Sequence, residues 1–324
     1  MPFFKTSFDN IISSISFKPA YLNLYQNHFK EFQNRIQIAE EMLKNCNVCP
    51  QECHVDRNEE LGYCRIGKKV KVSSYFAHFG EEDILRGWNG SGTIFFNLCN
   101  LRCVFCQNFE ISQLDDPEAI ELEPVQLADV MINLQNQGVH NINFVSPDHV
   151  IPQILFAIYE AIPKGLSLPL VYNSNAFSSI DSLKLLEGII DIYMPDFKFW
   201  DPSLARRYLK TEDYPEIAKK AILEMYHQVG DIKFDEFGLA KKGLIVRHLV
   251  MPGYVEDSKK ILYFLSKISK KIYINIMSQY RPYAKVLKRP DIYKEINRPI
   301  TKEEYREVVQ FAYDLGFEYI DHDN

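Results

Sequence analysis

The sequence predicts an α/β protein built on a parallel sheet, preceded by a small helical and cysteine-bearing segment. Three observations carry this expectation. From Thr93 onward, short apolar runs alternate with stretches of helical period, and the β-α alternation repeats along the rest of the chain. Runs such as Asp191-Ile192-Tyr193-Met194 are nearly continuous in apolar character, as strands covered on both faces are. Polar, chemistry-bearing residues recur at one end of these strands, the carboxyl end, where α/β sheets gather their ligands. Pattern alone fits both an open doubly wound sheet and a curled barrel.

The elements follow in order. Residues 1–19 have no clear period and read as a loosely packed arm. From Tyr21 to Asn45, Tyr25, Phe29, Phe32, Ile36, Ala39 and Leu43 step by four and three, the stripe of one long amphipathic packing helix. Residues 70–92 read as strand and loop. Strands are expected at Thr93–Leu98, Asn141–Val145, Pro169–Asn173, Ile189–Pro195, Leu244–Met251 and Ile272–Met277. Helices are expected between them. One starts at Pro124, a residue suited to the first helical position. Others cover Ile151–Ile162, Ile180–Leu186, a start at Pro202, Pro215–Val229 and Asp257–Ile268. The last begins on the capping-box pair Thr301 and Glu304 and stops at Gly316. This divides the chain into an N-terminal helix and four-cysteine segment, residues 1–72, and a β/α core, residues 73–324.

Composition narrows the class. The 324 residues are 46% hydrophobic and 25% charged, with formal net charge −6, the profile of an ordinary globular protein. That balance does not suggest nucleic acid or an anionic membrane as partner. No apolar run approaches the ~20 residues that cross a bilayer. The stretch MPFFKTSFDNIISS lacks a basic region followed by an apolar core, so a cytoplasmic location is expected. Seven cysteines are an odd number for a disulfide framework and are better read as metal ligands.

The cysteines fall into two sets. Cys46, Cys49, Cys53 and Cys64 lie within one compact segment with turns at Pro50 and Gly62. Four soft thiolates suit either a closed zinc knuckle or a second iron–sulfur cluster, and spacing does not separate the two. Cys99, Cys103 and Cys106 form C-x3-C-x2-C directly after the first strand of the β/α series. Three thiolates in so short a loop can hold three corners of a 4Fe-4S cubane and leave the fourth iron open, which marks a reactive site.

The loop TIFFNLCNLRCVFCQN, with its aromatic Phe105 before the last cysteine, resembles the radical S-adenosylmethionine superfamily. Together with DIYMPDFK and VRHLVMPG it is similar to the branch related to pyruvate formate-lyase activating enzyme, more narrowly to members carrying an N-terminal four-cysteine segment. The likeness extends over roughly residues 46–320. It implies a partial (β/α)6 barrel and a 4Fe-4S cluster on Cys99, Cys103 and Cys106, with S-adenosylmethionine on the fourth iron. It further implies an oxidoreductase that cleaves S-adenosylmethionine reductively to a 5′-deoxyadenosyl radical, which abstracts hydrogen from a substrate. By the same likeness the substrate is a protein or peptide, and the electron donor is of flavodoxin or ferredoxin type. Small-molecule radical chemistry, and a non-catalytic metal-binding or redox-sensing protein, are the alternatives.

Carried onto this chain, the resemblance implies that Phe105 lies beside the adenine. Ser146, opening Ser146-Pro147-Asp148-His149, stands where the family has a Gly-Gly-Glu-like segment for the methionine amino group. Asn173 and Asn175 fall near the ribose and a cation site, and Asp196 and Lys198 near the methionine end. Arg247 and His248 face cofactor or substrate; since neighbours on a strand point to opposite faces, one of the two is expected inside the barrel. His78, Glu81 and Glu82 read as surface residues.

Overall fold

The computed structural model describes residues 17–322. Residues 1–16, most of the expected N-terminal arm, lie outside them. The chain begins with helices α1 (Ala20–Asn27) and α2 (Phe29–Lys44), then strand β1 (Val70–His78), the short α3 (Asp83–Arg86) and β2 (Ser91–Phe96). After the three-cysteine loop come α4 (Phe109–Ser112), β3 (Ile120–Leu122), α5 (Pro124–Asn136), β4 (Ile142–Val145) and α6 (Ile151–Ala161). Next are β5 (Leu170–Ser174), α7 (Ile180–Leu185), β6 (Ile192–Pro195), α8 (Pro202–Tyr208) and α9 (Tyr214–Val229). The chain closes with β7 (Lys233–Phe234), β8 (Ala240–Leu249), α10 (Val255–Ile268), β9 (Tyr273–Met277), α11 (Lys285–Lys288), α12 (Lys302–Asp314) and β10 (Tyr319–His322).

The sheet order is β10-β9-β8-β6-β5-β4-β2-β1-β3, with β7 beside β8. The expected strands, β2, β4, β5, β6, β8 and β9, pair in parallel along this path. β10 extends the parallel run, and β1 caps the other end antiparallel to β2. The sheet curls. Asn143 on β4 and Asn275 on β9 are separated by β5, β6 and β8, yet they donate hydrogen bonds to the adjacent residues Glu81 and Glu82. Only a sheet wrapped into a partial barrel brings those strands together at one point.

Two expectations change. The single helix over Tyr21–Asn45 is two, because His28 adopts φ −133° and ψ 40°. Asn27 and His28 are both weak helix formers. The break also lets Tyr25, Phe29 and Phe32 close around Tyr159 of α6, at ring separations of 5.6, 5.9 and 5.4 Å. The expected boundary after residue 72 falls inside β1, and one hydrophobic core runs from Tyr21 through the barrel to Phe317. Polar ties reinforce that continuity: Ser182 Oγ donates to Val48 O at 2.7 Å, and buried Arg57 donates to His149 O at 2.8 Å. The four-cysteine segment is thus packed on the barrel from the outset.

Helix ends follow their local chemistry. Thr301 Oγ1 accepts the Glu304 backbone N–H at 3.1 Å, and Glu304 Oε2 accepts that of Thr301 at 2.8 Å. Gly243 on β8 has φ +125°, and an added Cβ would stand 2.5 Å from both Asp231 O and Ile232 Cα. Both contacts are backbone, so no rotamer relieves them. Gly243→Ala is expected to lower unfolding stability by about 3 kcal/mol, through overpacking plus a strained φ. Urea unfolding measures this, and a loss under about 1 kcal/mol would show that the neighbouring turn yields.

Candidate active site

The buried strand β2 delivers the chain to the mouth of the barrel and stops where Leu98 turns to φ 67°. From there the three-cysteine loop is pinned by main-chain bonds to distant elements. Val104 N–H donates to Tyr208 O at 2.8 Å, and Lys285 N–H donates to Val104 O at 3.0 Å. Gln113 Nε2 donates to Cys103 O at 2.7 Å, and Arg102 Nη1 to Cys99 O at 2.5 Å. The loop is therefore positioned by its backbone, and its sulfurs stay available.

Those sulfurs line a cavity of about 290 Å³ at the carboxyl ends of the strands. Leu101 N–H donates to Cys99 Sγ at 3.4 Å and Asn175 Nδ2 at 3.3 Å; Cys106 Sγ lies 3.1 Å from Ser112 Oγ. Burial pushes the Cys99 thiol up to about 11. Burial also raises Cys103, against the pull of the nearby Lys198 ammonium. Thiolates here form readily only against a cation, which is what a soft metal supplies. Donor type, convergence on one cavity and N–H bonds to sulfur fit a cluster held by Cys99, Cys103 and Cys106.

The opposite wall carries the charges. Asp196 accepts from Lys198 Nζ at 2.7 Å and from Arg247 Nε at 2.8 Å. Burial alone would raise its carboxyl, but Arg247 and then Lys198 hold it down at about 2. For Lys198 burial pulls the ammonium down, but Asp196 and the Cys103 sulfur outweigh it and raise the group. Arg247 Nη2 also donates to Asn173 Oδ1 at 2.8 Å. Asn173, Asn175, Asp196, Lys198 and Arg247 all line the cavity, and so does Ser146, whose left-handed turn (φ 56°) exposes it there. Phe105 lines it too, while its ring meets Phe199 and Tyr280 edge-on at 6.0 and 6.1 Å. A cofactor with ammonium, carboxylate and an aromatic base would meet a partner for each of the three here.

His248 does not join them. It is buried on the outer face, with Nδ1 2.7 Å from Phe197 O and Nε2 2.8 Å from Ser258 Oγ, and burial lowers it to about 4. Strand alternation admits Arg247 and sends its neighbour outward. Within Ser146–His149 only Ser146 reaches the cavity. Asp148 is a brace: it accepts from Ser174 Oγ at 2.6 Å, from Asn175 N–H at 3.2 Å and from Ser178 Oγ, and so orients the Asn175 amide toward Cys99. Gln107, within the cysteine loop, and Gln279, just past the end of β9, also line the cavity. Glu81 and Glu82, expected on the surface, are drawn beneath the barrel, where Glu82 is 7% exposed.

The second cysteine set abuts this loop. Cys46, Cys49 and Cys64 are buried and Cys53 half-buried. Cys53 Sγ accepts the backbone N–H of Tyr63 at 3.2 Å. Glu52, His54 and Arg65, all with positive φ, turn this segment tightly. Gln51 Nε2 donates to Asn100 O at 2.9 Å, and Arg102 Nη2 donates to Tyr63 O at 2.7 Å. Among the described residues, no three His, Cys, Asp or Glu side chains are gathered closely enough to hold a single ion. No helix among them is long and apolar enough to cross a membrane.

Comparison with known proteins places the chain. The profile of the Radical SAM superfamily matches residues 93–265, from the cysteine loop to α10. An uncharacterized protein of Methanocaldococcus jannaschii is 35% identical over 284 residues, spanning 86% of this chain and 77% of its own. Two solved structures are more distant. A domain of pyruvate-formate lyase-activating enzyme from Bacteroides vulgatus has 13% identity and TM-score 0.37, covering 63% of this chain and 95% of that one. SuiB of Streptococcus suis has 12% identity and TM-score 0.44, covering 70% and 47%. With its cysteine loop at the head of a profile match across more than half its length, the chain belongs to the radical SAM superfamily.

Proposed function

We propose that this protein is an activating-enzyme-like radical SAM oxidoreductase whose substrate is a protein or peptide. The observation that carries the reading is the meeting of three cysteines, the Asp196–Lys198–Arg247 charge set and Asn175 on one cavity. Bound there, a 4Fe-4S cluster and S-adenosylmethionine would supply the reductively generated 5′-deoxyadenosyl radical. Cys99, Cys103 and Cys106 would hold the cluster. Lys198 and Arg247 would meet the cofactor carboxylate, Asp196 and Ser146 its ammonium, Asn173 and Asn175 its ribose, and Phe105 its adenine. The protein's own work is to orient these groups and keep water out. The choice of a protein or peptide substrate rests on the likeness of residues 93–108, 191–198 and 246–253 to the activating-enzyme branch. A flavodoxin- or ferredoxin-type donor would provide the electron.

Anaerobic reconstitution with iron and sulfide, then dithionite and S-adenosylmethionine, tests the chemistry. Release of 5′-deoxyadenosine is expected; its absence sinks the radical reading. Trapping label from a proteome pool rather than from a metabolite pool tests the substrate class.

The four-cysteine segment is assigned a metal of its own. Its four thiols lie within one short segment, three of them buried, and Cys53 Sγ accepts a backbone N–H, as sulfurs at thiolate–metal sites do. Metal analysis of the reconstituted chain is expected to exceed the about four iron that one cubane holds: about eight for a second cluster, or four with one zinc for a knuckle. A Cys49→Ala, Cys53→Ala double variant should fall back to about four iron alone. Metal content unchanged by that variant would leave the segment without an assigned role.

A further inference from the structure

The cavity of the three cysteines does not end at Arg247. Behind that side chain lies a second cavity of about 240 Å³, and the two share Arg247, Met277 and Gln279 as a common wall. Its far side is formed by Glu81 and Glu82 from the turn after β1, with Asn275 of β9 and Asp321 of β10. The antiparallel β1–β2 pair carries that acidic turn under the barrel, facing the open edge where β9 and β10 end the sheet.

Glu82 is unusual within this wall. It is 7% exposed, and Oε1 accepts from Asn275 Nδ2 at 2.9 Å. Oε2 is fully buried and has no hydrogen-bond partner. The nearest cation does not satisfy it: Arg247 Nη1 is 4.0 Å from Oε1, while its Nε and Nη2 are committed to Asp196 and Asn173. Glu81 has one amide partner, Asn143, and His78 lies 3.8 Å away; burial keeps that histidine below its ordinary value and so uncharged near neutrality. Burial raises Glu81 itself to about 7. Two buried carboxyl groups therefore face one guanidinium whose Nε and Nη2 are bonded elsewhere and whose Nη1 reaches Glu82 only at 4.0 Å. An unpaired buried carboxylate oxygen is costly, and a cavity beside it can hold the missing partner.

That partner is an organic cation. A bare metal ion would need several oxygen or nitrogen ligands around one point. Asn275 meanwhile turns its amide donor, not its oxygen, toward Glu82. An ammonium or guanidinium carries its own fan of N–H donors and needs only acceptors, and the carboxyl groups of Glu81 and Glu82 line the cavity.

We propose that the second cavity is the substrate pocket, and that it anchors the substrate by a cationic group, a lysine or arginine side chain or a free amine, held at Glu82. A group fixed there extends past Met277 and Gln279 into the cysteine cavity, so the carbons a few bonds from its charge face the reacting centre. The inference rests on the radical reading of that centre and adds to it the chemistry of the substrate.

The test is calorimetric titration of the full reconstituted chain, with S-adenosylmethionine present and no reductant. The probes are Nα-acetyl-lysine amide and its neutral counterpart Nα-acetyl-norleucine amide. The lysine probe is expected to bind at least tenfold tighter to wild type. In Glu82→Gln, which keeps the side-chain shape, that ratio should fall to about one, while S-adenosylmethionine titrates as in wild type and so reports an intact fold. Equal binding of the two probes to wild type overturns the proposal without any variant. A preference that survives in Glu82→Gln overturns it as well, as does displacement of the lysine probe by magnesium or manganese at equal concentration. Because no turnover is involved, failure of the radical chemistry appears separately, as wild type that yields no 5′-deoxyadenosine once dithionite is added.

Discussion

Replacing Cys103 with alanine is expected to abolish reductive cleavage of S-adenosylmethionine while leaving the protein folded. Cys103 is the middle ligand of the proposed set, and its sulfur faces both Lys198 and the other two thiols. With Cys103 gone, Cys99 and Cys106 alone would have to hold a cluster that the three thiols would hold together. Loss of an outer-shell partner typically costs about 10–100-fold in metal affinity or activity, so loss of a ligand should exceed about a hundredfold. The loop itself should survive, because its anchors are backbone groups: Val104 N–H to Tyr208 O, Lys285 N–H to Val104 O, and Cys103 O receiving Gln113. The measurements are 5′-deoxyadenosine yield, iron content and circular dichroism on one anaerobic preparation. A Cys103→Ala protein that makes as much 5′-deoxyadenosine as wild type would remove the site from consideration.

The second large effect is expected at Asp196. Asp196→Asn keeps the shape and removes the charge, leaving Lys198 and Arg247 beside each other in a largely enclosed site where each side chain is 18% exposed. Removing one partner of a buried ion pair costs about 3–5 kcal/mol, because the remaining charge loses its compensation. Glu82, 4.0 Å from Arg247, relieves part of this, so the lower end, about 3 kcal/mol, is expected. The pH dependence has a fixed sign. The carboxyl is held at about 2, below its ordinary 3.8, so its stabilisation is fully present above 3.8 and is lost as pH falls through about 2. The gap between wild type and variant should therefore be constant near neutrality and narrow only in acid. Urea unfolding at pH 7 and at pH 3, without S-adenosylmethionine, measures it. A gap that widens in acid would mean that the charge set is not what Asp196 stabilises.

Much of the barrel was legible because its strands and helices are specified locally. Period and apolar runs located β2, β4, β5, β6, β8 and β9 to within a few residues, and Thr301 and Glu304 announced α12 through their own side chains. β10 escaped notice, since Tyr319–His322 is half-buried at the sheet edge and has no apolar run to mark it. The break at His28 escaped because a stripe that steps by four and three continues across it, and only packing against Tyr159 makes use of the kink.

The kind of chemistry is legible locally. The spacing of Cys99, Cys103 and Cys106 gains its meaning from following a strand that opens the β/α series, and the Asp-x-Lys of Asp196 and Lys198 from the family resemblance; both are legible in short stretches of sequence. Tertiary structure alone decided which neighbours share the cavity. Arg247 turns inward and His248 outward because of strand parity within a curled sheet. Asp148 became the brace of Asn175 through contacts across 27 residues of chain. Glu81 and Glu82, which look like solvated charges in the sequence, were carried beneath the barrel by an antiparallel strand and bonded by asparagines from β4 and β9. Burial and partner identity are properties of long-range closure, and no short window of sequence contains them.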